Sequence, residues 1–585
     1  MPEVLFKQVD YNVGILNDKI RLGEIGLPDI QRPFVWSTAK VRDLFDSMYK
    51  GFPVGYLLFW ENALPNGYRT IGGDHKQNIP RLLIVDGQQR LTSLYAVLKA
   101  MPVVREDYTA QRILIAFRPR DQVFEVSDAA IARDREFIPD ISAVYSSPSS
   151  YSFITKFLKR LREHREVTEE DEALLSEAID RLYDLRNYPF TALELSSSVD
   201  ELRVAEVFVR INSSGVTLNQ SDFILTLMSV FWDQGRTDLE DFCRACRLPS
   251  DGRASPYNHF VKPGPDELLL VDVALGFRRA RLRHVYSILR GKDLQTEEFS
   301  DARRAEQFAV LEQTQGYVLD VQNWHEFLKS LVLAGFRGQE MILSHVGLMY
   351  SYAMFLIGKR DYGVDAATLR SVFARWFFMV SLTSRYSTSP ESTMEQDLAR
   401  LREVSDVQGF VRTLDQVVAD ALTEDYWSIT LPNELATSAS RSPALLAYYA
   451  ALNLLGARVL FSQMKVAELF DPALRARKAA MERHHLFPRA YLASQGITEI
   501  RDVNQIANLT LLEWPDNVAV SDTPPFTYVA EVLRKRGISA NDYKEMAACH
   551  ALPDGWERMA YADFLTARRR AMAQVVRRGY EKLKA

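Results

Sequence analysis

Two short polar stretches have the residue types and the spacing that could do chemistry. The first, DGQQR at 86–90, lies between an apolar, β-branched run and a stretch of helical spacing that begins at Gln88. A glycine turn leading from a strand into a helix suits a phosphate, because the free N–H groups and the helix dipole favour an anion. Arg90 could add a bidentate contact, and Asp86 could hold a metal ion or a ribose hydroxyl. On spacing alone, an ordinary strand–turn–helix with a polar cap remains the alternative.

The second stretch is rich in histidine. The chain reads ERHHLFPRAYL and, further on, NLTLLEWPDN. Neighbours on a strand face opposite sides, so His484 and His485 suit a split role, with one imidazole on a metal ion and the other aimed at a substrate water. Asn508, at the head of a second strand, and Asn517, beyond it, complete the order His-His-Asn-Asn. This order predicts a ββα-metal finger, in which two strands and a helix close on one divalent ion. The alternative is a surface histidine pair.

Composition limits the class of protein. The chain of 585 residues is too long for one hydrophobic core, and 47% apolar residues supply ample material for several. The net charge is −5, but residues 471–585 carry 18 Lys+Arg against 14 Asp+Glu, as a phosphate-binding module requires. Three cysteines indicate a reducing compartment. No export signal is visible, and the most membrane-like stretch, 346–358, is too short to span. We therefore expect a soluble cytoplasmic protein with no membrane partner.

The hydrophobic periodicity predicts how the chain is organised. Strands and helices alternate over residues 1–220, and helical spacing dominates 221–435. A small, polar segment at 436–443 has the composition of a linker, and residues 444–585 return to strands and helices. We expect an α+β chain, predominantly helical, with an N-terminal α/β domain, a helical middle region and a C-terminal ββα-metal domain.

The motifs of this chain, taken in their order along the sequence, resemble those of the GmrSD-type, modification-dependent restriction endonucleases, including their BrxU- and SspE-like members. The segment IVDGQQRLTSL, with QRPFVW before it and VFVRINSSGVTLNQSDF after it, is similar to the family's ParB-like N-terminal NTPase half. ERHHLFPRAYL followed by NLTLLEWPDN is similar to its HNH nuclease half. The segment RWFFMVSLTSRYS at 375–387 also looks like family sequence. These segments fall in four regions, 27–98, 188–223, 375–398 and 480–530, in the family's order, and the four together are more specific than any one of them.

The resemblance implies roles for the residues of the histidine-rich stretch. His485 would be the general base that activates water. Imidazole is suited to this task at near-neutral pH. Asn508 would orient the loop that carries His485. His484 and Asn517 would hold a divalent metal ion, and two nitrogen or amide ligands completed by water favour Mg²⁺ or Mn²⁺ over zinc.

The resemblance also implies a nucleotide site in the N-terminal half, for GTP or ATP. Its residues would be Asp86, Gly87, Gln88, Gln89, Arg90, Arg210 and Asn212. Gln31 and Arg32 match a segment implicated in sensing modified DNA. The implied partners are double-stranded DNA, in modified form, and the nucleotide; a homo-oligomer is compatible with the sequence.

The expected function is that of a type IV-like, modification-dependent DNA endonuclease in anti-phage defence, which nicks or cuts with its HNH site and is regulated by nucleotide. One alternative is a nucleotide-dependent DNA-binding regulator with a degenerate HNH, because residues 518–521 lack the lysine that many HNH fingers have. Arg489 or the basic run at 534–536 could replace that lysine. The other alternative is an HNH nuclease that does not depend on modification.

Two further features, the final basic helix and a pair of cysteines, can be explained by a structural role as well as by a functional one. The final basic helix, with arginines at 568–570 and 577–578, could track a DNA backbone or form a solvated basic face. Cys243 and Cys246 form a CxxC without a second pair, which favours two thiols on a helix face over a zinc site.

Overall fold

A computed structural model gives the fold of most of the chain. It describes residues 5–28, 34–61, 68–69, 81–105, 108–196, 199, 207, 220–250, 252–292, 296, 300–472, 482–513 and 523–584. The chain forms two compact units, Met1–Thr237 and Asp238–Ala585. The finer boundaries that the sequence suggests, at 220, 435 and 443, stay predictions.

The first unit is built on a mixed sheet. Its strands are β1 (Phe6–Asn12), β2 (Ile25–Pro28), β3 (Leu57–Glu61), β4 (Tyr68–Arg69), β5 (Leu82–Asp86), β6 (Pro102–Val104), β7 (Ala110–Arg112), β8 (Ile115–Arg118), β9 (Val123–Val126) and β10 (Pro189–Leu195). Six of them form one sheet in the order β1-β10-β3-β5-β2-β4, in which β10 and β3 are parallel and β3 and β5 antiparallel. The pairs β6–β7 and β8–β9 form separate two-stranded ladders.

Helices cover the sheet of the first unit. They are α1 (Val13–Leu22), α2 (Thr38–Tyr49), α3 (Gln88–Leu98), α4 (Ser142–Tyr145), α5 (Ser150–Arg162), α6 (Glu169–Asp184) and α7 (Gln220–Phe231). The predicted strand before residue 86 and the helix after it are confirmed as β5 and α3. Strand β1 was not among the predicted strands; its FKQVDYN side chains are exposed or half-buried and form no buried face.

The second unit is mainly helical. Its helices and strands are α8 (Asp233–Ala245), which begins in the first unit, α9 (Pro265–Phe277), α10 (Leu282–Leu289), α11 (Asp301–Val318), α12 (Val321–Leu333), α13 (His345–Arg360), α14 (Ala366–Thr383), α15 (Pro390–Arg400), α16 (Val407–Ala421), α17 (Leu431–Glu434), α18 (Pro443–Leu455), α19 (Val466–Leu469), β11 (Glu482–His485), α20 (Arg489–Ser494), α21 (Ile500–Val503), β12 (Leu509–Leu512), α22 (Pro525–Arg536), α23 (Ala540–Cys549) and α24 (Tyr561–Glu581). The fold class is therefore α+β and predominantly helical, as predicted.

The apolar stretch at 346–358 lies within α13, where residues 347–358 are all buried. It is a core helix, as predicted. Across the residues whose placement is given, no helix is long and apolar enough to cross a membrane.

The family-like segment at 375–387 has a structural role in this unit. Arg385 donates from Nε to Oδ2 of Asp397 at 3.0 Å, and the Tyr386 hydroxyl donates to the same oxygen at 2.7 Å. Asp397 is only 2% exposed, so the charge-assisted pair and the hydroxyl compensate its desolvation. The end of this segment therefore ties α14 to α15.

A second buried aspartate makes a testable contrast. Asp272, in α9, is completely buried, and burial raises the pKa of its carboxyl well above the ordinary value, with a hydrogen bond to Gln315 as the opposing influence. The folded state therefore retains a proton that the unfolded chain releases at neutral pH, so stability falls as pH rises above the unfolded pKa.

We expect D272N to raise the free energy of unfolding of this unit by about 1–3 kcal/mol at neutral pH, because the amide needs no proton uptake. The gain should vanish near pH 4, where the unfolded aspartate is also protonated. D397N is the matched control and should destabilise, since it removes one side of an ion pair. Thermal unfolding across pH measures both. Equal effects of the two substitutions would contradict the account.

Candidate functional site

The histidine-rich stretch forms a small ladder in the second unit. β11 pairs antiparallel with β12, with His484 opposite Thr510 and His485 opposite Leu509. Residues 506–508 form a 3₁₀ turn that leads into β12, so Asn508 directly precedes this second strand. Two short helices, α20 and α21, lie between these strands along the chain, and α22 is the next helix described after β12.

The two histidines face opposite sides of β11, as their adjacency on a strand requires. His484 is 7% exposed, and its ring meets that of Tyr528 in α22 edge to face, with 6.4 Å between centroids. The Tyr528 hydroxyl donates to the carbonyl of Leu486 at 2.8 Å, which fastens α22 to the end of β11. His484 therefore points toward the helix, whereas His485 is half-buried on the other side.

His485 has a side-chain partner that the sequence reasoning missed. Its Nε2 lies 2.9 Å from Oδ1 of Asn504, which directly follows α21. Asn504 is four residues before Asn508 and belongs to the segment NQIAN. The presence of a second asparagine so close to Asn508 was the only sequence signal for this contact. The spacing does not show that Asn504 contacts His485, which lies 19 residues earlier in the chain.

Asn508 fastens the chain that follows His485. It is completely buried; its Oδ1 accepts from the Phe487 N–H at 2.8 Å, and its Nδ2 donates to the carbonyls of Phe487 at 3.1 Å and Val503 at 3.0 Å. Its own carbonyl accepts from the Leu486 N–H at 2.8 Å. One side chain thus ties the loop after β11 to the segment before β12. These contacts are consistent with the predicted role of Asn508 in orienting the loop that carries His485.

A buried side chain of the last helix, α24, binds the backbone on both sides of Asn508. Arg568 is completely buried, and its Nη1 donates to the carbonyls of Ala507 at 2.8 Å and Leu509 at 2.9 Å, on either side of Asn508. Its Nη2 donates to the carbonyl of His550 at 3.3 Å. Neither interpretation of this basic helix, DNA-backbone contact or solvated face, holds for Arg568. The guanidinium is an internal brace.

The surroundings of His484 bear on the predicted metal site. No cluster of three or more His, Cys, Asp or Glu side chains that could hold a metal ion occurs in the described ranges. His550 donates from Nε2 to the carbonyl of Arg458 at 2.7 Å, its Nδ1 lies 3.4 Å from Oγ1 of Thr510, and burial lowers its pKa to about 4. The assignment of His484 and Asn517 as metal ligands stays a prediction, because Asn517 lies outside the described ranges. The CxxC thiols, Cys243 and Cys246, are both buried.

In the first unit, the DGQQR turn has the predicted local geometry. β5 ends at Asp86, Gly87 adopts φ +95°, and α3 begins at Gln88. Arg90 donates from Nη1 to the carbonyl of Val54 at 2.6 Å and from Nη2 to Oδ2 of Asp86 at 3.2 Å. Burial lowers the pKa of this guanidinium. Arg90 therefore ties the turn to the segment before β3, which is an internal role that the sequence did not suggest.

Gln89 holds a second segment against the same turn. Its Oε1 accepts from the backbone N–H groups of Val35 at 3.0 Å and Trp36 at 3.3 Å. Arg105 binds the carbonyl of Trp36 and donates to Oγ1 of Thr38 at 3.2 Å. The segment that directly follows the predicted sensing residues is thus anchored to the DGQQR turn.

Five of the predicted site residues lie outside the described ranges: Gln31, Arg32, Arg210, Asn212 and Asn517. Their assigned roles stay predictions. Of the remaining ones, the structure brings His484, His485 and Asn508 together in the second unit, and Asp86, Gly87, Gln88, Gln89 and Arg90 together in the first.

The geometry of the DGQQR turn requires glycine at position 87. A Cβ there would lie 2.4 Å from Cδ2 of buried Leu57, on top of the strain of a positive φ. Gly51 has a similar φ, +78°, with nothing within 4 Å of an added Cβ. We expect G51A to destabilise by about 1 kcal/mol through backbone strain alone, and G87A by about 2–4 kcal/mol because overpacking adds to that strain.

Thermal unfolding of the two variants measures the difference, with the transition of the first unit as the readout. Equal losses would mean that the turn has room for a side chain and that its geometry is not tied to Leu57.

The comparisons with known proteins bear on both parts of the chain. Residues 13–229 match the family model described as "GmrSD restriction endonuclease, N-terminal domain". The chain is also similar to an uncharacterized protein, MJ0686, of Methanocaldococcus jannaschii, with 22% identity over 568 residues that cover 90% of this chain and 89% of the relative. The first unit, with its DGQQR turn, is therefore similar to the N-terminal domain of GmrSD restriction endonucleases.

Proposed function

We propose that the chain is a metal-dependent DNA endonuclease of the HNH type, which cuts or nicks modified DNA in anti-phage defence. The observation that carries the proposal is the arrangement around His485: a half-buried imidazole at the end of a short ladder, held by Asn504, beside a loop fixed by buried Asn508. The match of the N-terminal part to a restriction-endonuclease domain gives independent support.

In this proposal, His485 removes a proton from the attacking water. His484 and Asn517 hold a divalent ion, Mg²⁺ or Mn²⁺, which stabilises the charge that develops at the scissile phosphate. Arg489 is exposed in the first turn of α20, four residues beyond His485. It is the candidate for the phosphate contact that a lysine makes in many HNH fingers.

The N-terminal unit regulates cutting in this proposal. Asp86–Arg90, with Arg210 and Asn212, bind GTP or ATP and support its hydrolysis, and Gln31 and Arg32 sense the DNA modification. Because Gln89 and Arg90 already fasten the segments at 34–36 and 52–56, nucleotide bound at this turn would act on the chain next to the sensing residues. This placement supports coupling between nucleotide and modified DNA.

Matched plasmids that differ only in modification test the proposal. The purified protein is incubated with each plasmid, with and without nucleotide and with and without Mg²⁺ or Mn²⁺, and nicked and linear products are measured. We expect metal-dependent cutting of modified plasmid. Equal cutting of both plasmids would instead indicate a nuclease that does not depend on modification. Nucleotide-dependent DNA binding without any cutting would indicate a regulator with a degenerate site.

A further inference from the structure

We propose that Asn504 is a positioning residue that selects the ring nitrogen through which His485 acts. The inference rests on the proposed nuclease function and assigns a role to a side chain that neither the sequence motifs nor the family match identifies. It follows from one contact and from the way the neighbours of Asn504 are held.

The contact fixes a tautomer. An amide oxygen can only accept a hydrogen bond, so Oδ1 of Asn504, 2.9 Å from Nε2 of His485, requires a proton on Nε2. In a neutral imidazole the other nitrogen, Nδ1, is then unprotonated and becomes the proton acceptor. The same hydrogen bond also restrains rotation of the ring, so that Nδ1 keeps one direction.

Asn504 is itself held from both sides. Its N–H donates to the carbonyl of Ile500 at 2.9 Å. On one side, the carbonyl of Val503 accepts from Nδ2 of Asn508 at 3.0 Å. On the other, Gln505 donates from Nε2 to the carbonyl of Arg501 at 2.9 Å, and its Oε1 accepts from Nη2 of Arg569 in α24 at 2.7 Å.

These contacts place Asn504 on a rigid support. A partner that orients a functional imidazole typically affects activity by about 10–100-fold. The arrangement also explains why α24 packs under residues 502–509: through Tyr561, which donates to the carbonyl of Asp502 at 2.7 Å, and through Arg569 it fixes the backbone from which Asn504 reaches His485.

The test is a set of three variants assayed by plasmid cleavage with Mg²⁺ or Mn²⁺. N504A removes the acceptor and should lower kcat about 10–100-fold while KM for the plasmid changes little, because Asn504 acts through His485 and does not bind DNA. N504D keeps an acceptor oxygen and should retain more activity than N504A. I500A, at a 65% exposed position of α21, is the control and should match the wild type.

A double-mutant cycle separates positioning from a general structural effect. If Asn504 acts only through His485, N504A should cause no further loss in an H485A background under single-turnover conditions. An additive loss, or N504A activity equal to wild type, would overturn the inference. If H485A itself cuts as well as wild type, the proposed function fails instead, and the two failures are thus distinguishable.

Discussion

Replacing His485 by alanine is expected to lower DNA cleavage by about 10²–10⁴-fold, the usual contribution of a general base. Nucleotide hydrolysis should change little, because the DGQQR turn belongs to the first unit and His485 to the second. Folding should survive, since the imidazole is half-buried and its one described hydrogen bond is to Asn504. Plasmid nicking and phosphate release, measured on the same preparation, give both activities.

A matched control is His164→Ala, which removes an exposed imidazole from the first unit and should leave both activities unchanged. Loss of both activities in a well-folded H485A variant would contradict the assignment of cutting and nucleotide hydrolysis to separate sites. Unchanged cutting would place the nuclease centre elsewhere in the chain.

The local geometry of both motifs could be predicted because it depends on short-range rules. The β-branched run before Asp86, the glycine and the helical spacing after Gln88 fix a strand, a turn and a helix without help from distant residues. Adjacent side chains on a strand must face opposite ways, so the divergence of His484 from His485 also follows from sequence.

The contacts that complete the candidate site depend on tertiary structure. Arg90 reaches a carbonyl 36 residues away, and Asn504 reaches His485 across 19 residues. The sequence near a polar side chain does not show which partner it will have, because the partner is brought close only by the tertiary fold. Arg90 illustrates this, since its contacts with Val54 and Asp86 could not be foreseen from the sequence, while its contact with a nucleotide stays a prediction.

At Arg568 two sequence patterns make opposite predictions, and the structure shows the residue buried. Phe564, Met572 and Val576 are all completely buried, and Arg568 lies between them at the spacing i, i+4. That register places Arg568 on the apolar stripe of α24, while the run of three arginines suggests a solvent-facing patch. Helical phase is the better guide, because a long guanidinium can be buried where backbone carbonyls satisfy it.

This position supplies the largest expected effect on stability. R568M would leave the carbonyls of Ala507, Leu509 and His550 without the donors they now have. A buried acceptor that loses its partner typically costs about 1–3 kcal/mol, so we expect a loss of about 3 kcal/mol or more. R568K should be intermediate, because one ammonium group cannot span all three carbonyls. R570M, at an exposed neighbour in the same helix, should change stability by less than about 0.5 kcal/mol.

Two measurements locate the effect. Calorimetry should show a lower transition for the second unit with the first unit unchanged. Hydrogen exchange should rise across residues 502–512, where the brace acts, before it rises elsewhere. Because the brace holds the carbonyls on both sides of Asn508, R568K should also lose DNA cleavage at temperatures where it remains folded. If R568M and R570M unfold and exchange alike, the buried guanidinium does not support the segment, and the geometry around His485 must be held by other contacts, such as those of Asn508 and Tyr561.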